Sequence, residues 1–212
     1  MTPSAGRVAA RRQVTIDEAL DHAERIIESD GAGAVTVSEV ARRMGIRPPS
    51  LYKYFPSLHA IYDALFARGN ERLTAYVDDV IRDREPGLDR LLEGTRAFGR
   101  WSMGNKGIAT LLFWRPVPGF EPSPASYELA ADLVARFREE LRVAVRNGEL
   151  AEEADTDETF RLLTSISAGL CSQQLANEPD ASYDDGVFTS LTDRALAMFV
   201  AAHAPGSRKA GP

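Results

Sequence analysis

Lys53 stands between two tyrosines, Tyr52 and Tyr54, three residues after Ser50 and six after Arg47, inside the block Thr36 to Phe55, TVSEVARRMGIRPPSLYKYF. An ammonium, two phenols, a hydroxyl and a guanidinium so close together are groups that contact phosphate oxygens, and an arginine also pairs bidentately with guanine in a major groove. The chemistry on offer is therefore recognition of a nucleic acid. Signatures of other chemistry are missing: there is no glycine-rich phosphate loop, nucleophile elbow or paired-histidine helix. His22, His59 and His203 lie far apart with no supporting cysteine or glutamate pattern, so neither a metal nor a cofactor is expected, and an enzyme is disfavoured.

Presenting those groups to a duplex requires two short helices joined by a tight turn, and the block has that form. Ala41 is small where a second helix must pack closely, Gly45 follows four residues later, and Leu51 is the next buried anchor. Gly45 suits the position just past a helix end, where positive φ costs glycine least. Pro48 fits the first turn of the next helix, where its missing N–H is not needed, and that helix is expected to run to Phe55. Thr36 or Ser38 supplies the N-cap of the earlier helix, with Glu39 three positions after Thr36 as a capping box requires. Recognition helices present their N-terminal residues to the major groove, so Arg47, Pro49 and Ser50 are the candidates for reading base edges. Tyr52, Lys53 and Tyr54 are candidates for phosphate, and Thr36 and Ser38 join the DNA-facing set. Leu51 and Phe55, four apart, are core. Arg42 and Arg43 suit a solvated face as well as a phosphate contact.

Charge supports this placement once it is divided along the chain. The 212 residues carry a net −6, but residues 1–60 hold eight Lys/Arg against seven Asp/Glu, leaving −7 for the remainder. From Thr36 to Ala60 the bases Arg42, Arg43, Arg47 and Lys53 face Glu39 alone. Arg7, Arg11 and Arg12 add a basic arm able to reach phosphates or the minor groove. A small basic head on an acidic body reads as DNA-facing at one end. Cys171 is the single cysteine, so no internal disulfide framework exists and a reducing cytoplasm is the natural setting. Neither a signal peptide nor a membrane span is expected, because no h-region and no run approaching 18 apolar residues occurs.

Periodicity is helical throughout, which makes the fold class all-α, with about nine helices. Ile16, Leu20, Ala23 and Ile27 mark a first helix ending near Asp30. Leu58 to about Asp83 form one helix roughly 40 Å long, enough to connect two domains. Helical segments then follow from Leu88 to Trp101, Ile108 to Trp114, Tyr127 to Asn147, Asp157 to Asn177 and Asp185 to His203, with a proline-punctuated loop from Arg115 to Pro124. The expected organisation is a flexible basic arm at 1–14, a three-helix helix-turn-helix domain at 15–56, a larger helical effector-binding and dimerisation domain at 57–203, and a disordered tail at 204–212. In that body Trp101, Met103, Phe113, Trp114, Phe120 and Phe137 are candidates for lining an effector cavity, although apolar residues at helical spacing describe a core equally well. Gln173 and Gln174 are candidates for orienting hydrogen bonds or for a subunit contact. Leu163, Ile166 and Leu170 with Leu191, Ala195 and Met198 are the faces expected to meet across a dyad.

The helix-turn-helix block, its opening helix and the long helix that follows together resemble the tetracycline-repressor (TetR) family over about 60 residues. The stretch YDALFARGNERL and the segment Trp114 to Pro124 are similar to a subset called the WHG type. The resemblance implies a homodimeric, cytoplasmic DNA-binding repressor, released from a palindromic operator on double-stranded DNA by a small-molecule effector. The chain departs from the family pattern in two respects. Arg47 and Pro48 stand where many relatives have a Ser-capped start, which moves base reading toward Arg47. Leu58 stands where many have a phosphate-binding lysine, which leaves His59 as the nearest replacement. The rivals are an activator or effector-independent DNA binder, and a helical carrier or enzyme without DNA binding.

Overall fold

Each helix of the head ends where a specific local signal ends it. In a computed structural model that describes residues 5–206, nine α-helices and no strand occur among the described residues. Thr36 is extended and its Oγ1 accepts from the Glu39 N–H at 3.0 Å, which starts α2 (Val37–Arg43). Gly45, at φ +69°, closes that helix: its N–H reaches Arg42 O, and the Ile46 N–H reaches back to Ala41 O. This is the paired Schellman arrangement, in which a left-handed residue satisfies the last orphan carbonyls. Arg47 is the extended N-cap of α3 (Pro48–Leu51), whose first two residues are prolines. Regular α-helix stops at Leu51 rather than continuing to Phe55. Residues 52–54 form a turn, held by the N–H groups of Tyr54 and Phe55 on Leu51 O.

The described residues divide into two units, 1–70 with 106–129 and 71–105 with 130–212. This differs from a boundary at residue 57, because a later helix joins the head. The first unit holds α1 (Ala5–Asp30), α2, α3, the start of α4 (Leu58–Ile81), α6 (Lys106–Trp114), the proline loop and the first residues of α7 (Pro124–Arg146). Two glycines let α6 approach closely. A Cβ on Gly107 would lie 3.0 Å from Ile27 Cγ2, and one on Gly69 would lie 2.7 Å from Ile108 Cγ2. Ile26, Leu51, Ile61 and Leu65 are fully buried here. Burial of each such side chain contributes about 1.5–3 kcal/mol. Tyr62 is buried as well, and its hydroxyl donates to Ala32 O at 2.6 Å. Asp63 anchors the proline loop by accepting from the Ser123 N–H at 2.7 Å and the Ser123 hydroxyl at 2.9 Å.

Helix α1 begins at Ala5, some ten residues before its amphipathic pattern. The described part of the arm expected at 1–14 is therefore helical, not an irregular tether. Residues 1–4 lie outside the described residues, as does the expected disordered tail from residue 207 onward.

The second unit holds the rest of α4 and α7 together with α5 (Leu88–Gly104), α8 (Asp157–Asn177) and α9 (Thr192–Ala202). Leu91, Leu141, Leu150, Leu163, Leu196 and Phe199 form its core. Gly94 admits the Phe137 ring, which a Cβ there would meet at 2.4 Å. Thr156 caps α8 by accepting from the Thr159 N–H at 3.1 Å, and Gly148, at φ +71°, closes α7 with the same Schellman pair seen at Gly45. The helix expected from Asp185 begins only at Thr192, after a 3-10 turn at Thr189–Leu191. Tertiary bonds override the helical pattern there. Gln174 is fully buried, and its Oε1 accepts from the Phe188 N–H at 2.9 Å and the Thr189 N–H at 3.3 Å, while its Nε2 donates to Glu178 O at 2.9 Å.

Candidate nucleic-acid interface

The α2–α3 turn leaves a distinct set of side chains in solvent. Thr36, Ser38, Arg47, Pro49, Tyr52, Lys53 and His59 are exposed, and Ser50 and Tyr54 are half-buried. All nine belong to the first unit. Arg47 makes no side-chain cap bond, and neither its guanidinium nor the Lys53 ammonium has a carboxylate partner among the described residues. Thr36 is committed to the α2 cap through its hydroxyl, so any further contact uses its remaining hydrogen or its methyl group. His59 packs its ring edge-on to Phe120, centroids 6.0 Å apart, and Phe120 in turn lies 5.6 Å from the Tyr62 ring.

Arg42 and Arg43 behave differently from Arg47. Both donate to the Glu39 carboxylate: Arg42 through Nε and Nη2 at 2.7 Å each, Arg43 through Nε at 2.8 Å. Arg43 also reaches Asp30 at 3.3 Å. These hydrogen bonds, from Arg42 first and then Arg43, hold the Glu39 carboxyl down at about 2 and push Arg42 upward. Glu39 consequently does not fold back to complete a capping box. It organises two arginines on the exposed side of α2, and part of their positive field is cancelled within the protein. The spacings i,i+3 and i,i+4 made this cluster readable from the sequence.

A second contact had no such signal, because it spans 41 residues. Arg12 Nη1 donates to Lys53 O at 3.0 Å, and the Arg12 guanidinium sits 5.2 Å from the Tyr54 ring centroid. A cation at the end of α3 meets both an orphan carbonyl and an aromatic face there.

The residues proposed from the sequence for an effector cavity divide between the units. Phe113, Trp114 and Phe120 belong to the first; Trp101, Met103, Phe137, Gln173 and Gln174 belong to the second. Trp101, Met103 and Phe120 are buried, while Phe113 and Trp114 are half-buried and stack edge to face at 5.7 Å. Gln173 is exposed and accepts from the Asn177 amide. The expectation that Gln174 orients a ligand is corrected by its bonds to residues 178, 188 and 189, which occupy both ends of its amide. Of the expected dyad face, Leu163 is buried in the chain's own core and Ile166 packs against that core, so Leu163 does not offer itself to a partner. On α8 and at α9, Leu162 at 49%, Leu191 at 43% and Met198 at 66% exposed remain in solvent. No described helix is long and apolar enough to cross a membrane.

Comparison with known proteins places this geometry. Residues 19–65 match the sequence profile "Bacterial regulatory proteins, tetR family". The chain is 30% identical over 88 residues to the uncharacterized HTH-type transcriptional regulator YobS of Bacillus subtilis, a match covering 42% of this chain and 46% of that protein. It therefore spans about half the length of that relative. With the HTH-type transcriptional repressor BdcR of Escherichia coli it shares 28% identity over 125 residues, 58% of this chain and 62% of the other. Its fold is similar to that of the regulator FadR from Bacillus subtilis, solved in complex with stearoyl-CoA, at a TM-score of 0.72 and 16% identity, covering 86% of this chain and 96% of FadR.

Proposed function

The chain belongs to the tetR family of bacterial transcriptional regulators, and on that premise we propose that it is a homodimeric, cytoplasmic repressor that leaves a palindromic operator when a small effector binds. The observation that carries the reading is the α2–α3 turn closed at Gly45, which presents Arg47 and Lys53 without carboxylate partners in an otherwise acidic chain. Arg47, with Pro49 and Ser50, reads base edges; Tyr52, Lys53 and Tyr54 meet phosphates, with His59, Thr36 and Ser38 at the margin of the contact. One helix as short as α3 touches only a few base pairs. Useful affinity then requires two heads on half-sites about one turn apart, and two-fold symmetry makes the site palindromic. Exposed Leu162, Leu191 and Met198 support a dimer contact through α8 and the start and face of α9. Trp101, Met103 and Phe137 supply apolar surface for an effector in the second unit. Effector coupling of about 1–3 kcal/mol, roughly 5- to 150-fold in operator affinity, is the size such release requires.

Selection of duplexes from a random-sequence pool, followed by gel-shift titration at two salt concentrations and sedimentation of the free protein, tests the reading. A dimer that enriches a palindrome is expected. A strict monomer, or a protein with no sequence preference at low salt, refutes it. Arg47→Ala should relax the preference at one base position of each half-site, and an unaltered profile removes Arg47 from base reading.

A further inference from the structure

We infer that the first turns of α1 are a second DNA-contacting element: a helical arm, fixed to the end of α3 by Arg12, whose Arg7 and Arg11 bind backbone phosphates flanking the half-site. The inference rests on the DNA-binding reading above and extends it to residues outside the helix-turn-helix.

The arm has no reason to exist as core. Every residue from 6 to 14 is exposed, and the apolar face of α1 starts only at Ile16. Nine exposed residues gain almost nothing from burial, and a short helix on its own is marginal in water. Arg7 and Arg11 sit four apart on one side, where like charges oppose helix formation. No acidic residue offsets them before Asp17. A polyanion alongside turns that repulsion into attraction, and the duplex already assigned to α3 is the polyanion at hand.

Arg12 decides where the arm lies. Its bond to Lys53 O and its place over the Tyr54 ring tie residue 12 to the backbone of Lys53 and the ring of Tyr54, two of the residues expected to meet phosphate. That guanidinium is engaged within the protein, so Arg12 acts as a positioning residue. Arg7 and Arg11 have no carboxylate partner among the described residues and are the contacting groups. The surface formed is continuous with the end of α3, and its charge is complementary to a phosphate backbone.

The test uses the full chain, the duplex recovered by selection, and the same duplex trimmed of its flanking base pairs. Replacing both Arg7 and Arg11 by Ala should lower the slope of log affinity against log salt by about 1.8, at roughly 0.9 per phosphate. A salt increase of about fourfold should then weaken the double variant about tenfold less than the wild type. On the trimmed duplex the two proteins should bind alike. Arg12→Ala should reproduce most of that loss and reduce helical circular dichroism, Arg12→Lys should restore part of both, and adding Arg12→Ala to the double variant should change the slope little further. Unchanged slope and affinity for the double variant, with normal wild-type binding, overturn the arm and leave the repressor reading intact. A loss that follows flank sequence at constant slope overturns the phosphate assignment. Failure of the wild type to bind any duplex overturns the functional reading itself.

Discussion

Two connections in this protein join helices by opposite means. Between α2 and α3 the chain turns through Met44–Arg47, and every bond that shapes the turn comes from residues within five positions: Thr36 to Glu39, Gly45 to Arg42, Ile46 to Ala41. Between α8 and α9 it wanders from Glu178 to Leu191, and one buried side chain, Gln174, holds residues 4, 14 and 15 positions away. Each connection contains a glycine, for different reasons. Gly45 needs its positive φ, and a Cβ there would meet nothing within 4 Å. At Gly186 the obstacle is steric: a Cβ would lie 2.3 Å from Gln174 Oε1 and 2.6 Å from Thr189 Oγ1. One connection is written in backbone conformation and the other in tertiary space.

Removing Gln174 separates the two most sharply. Gln174→Leu keeps the volume but strands the Phe188 and Thr189 N–H groups, and each unsatisfied buried donor costs about 1–3 kcal/mol. The expected destabilisation of about 2–5 kcal/mol lowers Tm by roughly 5–15 °C in a chain of this size. Thermal melting measures it, and operator affinity of the folded fraction should be preserved. A drop under about 2 °C would mean that the α8–α9 connection is held by something other than this amide.

Gly45→Val tests the opposite connection. A β-branched residue in the left-handed region costs about 1–2 kcal/mol without any clash, so the melt shifts less than for Gln174→Leu. The loss should appear in DNA binding, because the turn sets the direction of α3. Full operator binding by this variant would show that the register assigned to the turn is wrong.

That contrast explains what the sequence made legible. The α2–α3 unit was readable because Thr36, Gly45 and Pro48 each act on their immediate neighbours, and a cap or a positive φ is a property of spacing. Periodicity alone points to a helix from Asp185, whereas α9 starts at Thr192, because Gln174 pulls the intervening stretch into a different path. Leu163 fits a dyad on sequence and lies in the core in the fold for a related reason: an apolar stripe does not say whether its partner is this chain or another. The extension of α1 was hidden because its nine exposed residues carry no amphipathic pattern, and the bond from Arg12 to Lys53 joins positions 41 apart.

Thr36→Ala probes a single local signal. Loss of the hydroxyl that accepts from Glu39 N–H should cost about 1 kcal/mol, or roughly 2–4 °C in Tm, and Thr36→Ser should recover most of it. If alanine melts with the wild type, α2 does not depend on its cap and the local account of this connection weakens.

The smallest stability effect, and the most informative about charge, belongs to Glu39. Its carboxyl is held at about 2 against an ordinary 4.5 by the hydrogen bonds of Arg42 and Arg43. A depressed folded value means that the pairing stabilises fully above the unfolded value, fades as pH falls from 4.5 toward 2, and is absent below. The melting difference between wild type and Glu39→Gln should therefore be flat across neutral pH and close in that acidic window; the site is exposed, so the difference is small throughout. On DNA the same substitution should act in the other direction. Freed from the carboxylate, Arg42 and Arg43 become available to phosphates, and the salt dependence of binding should steepen by about one for each that engages. An unchanged slope would mean that both arginines already reach DNA while paired, or that α2 turns them away from it. In the second case the positive charge that matters lies in α3 and the arm alone.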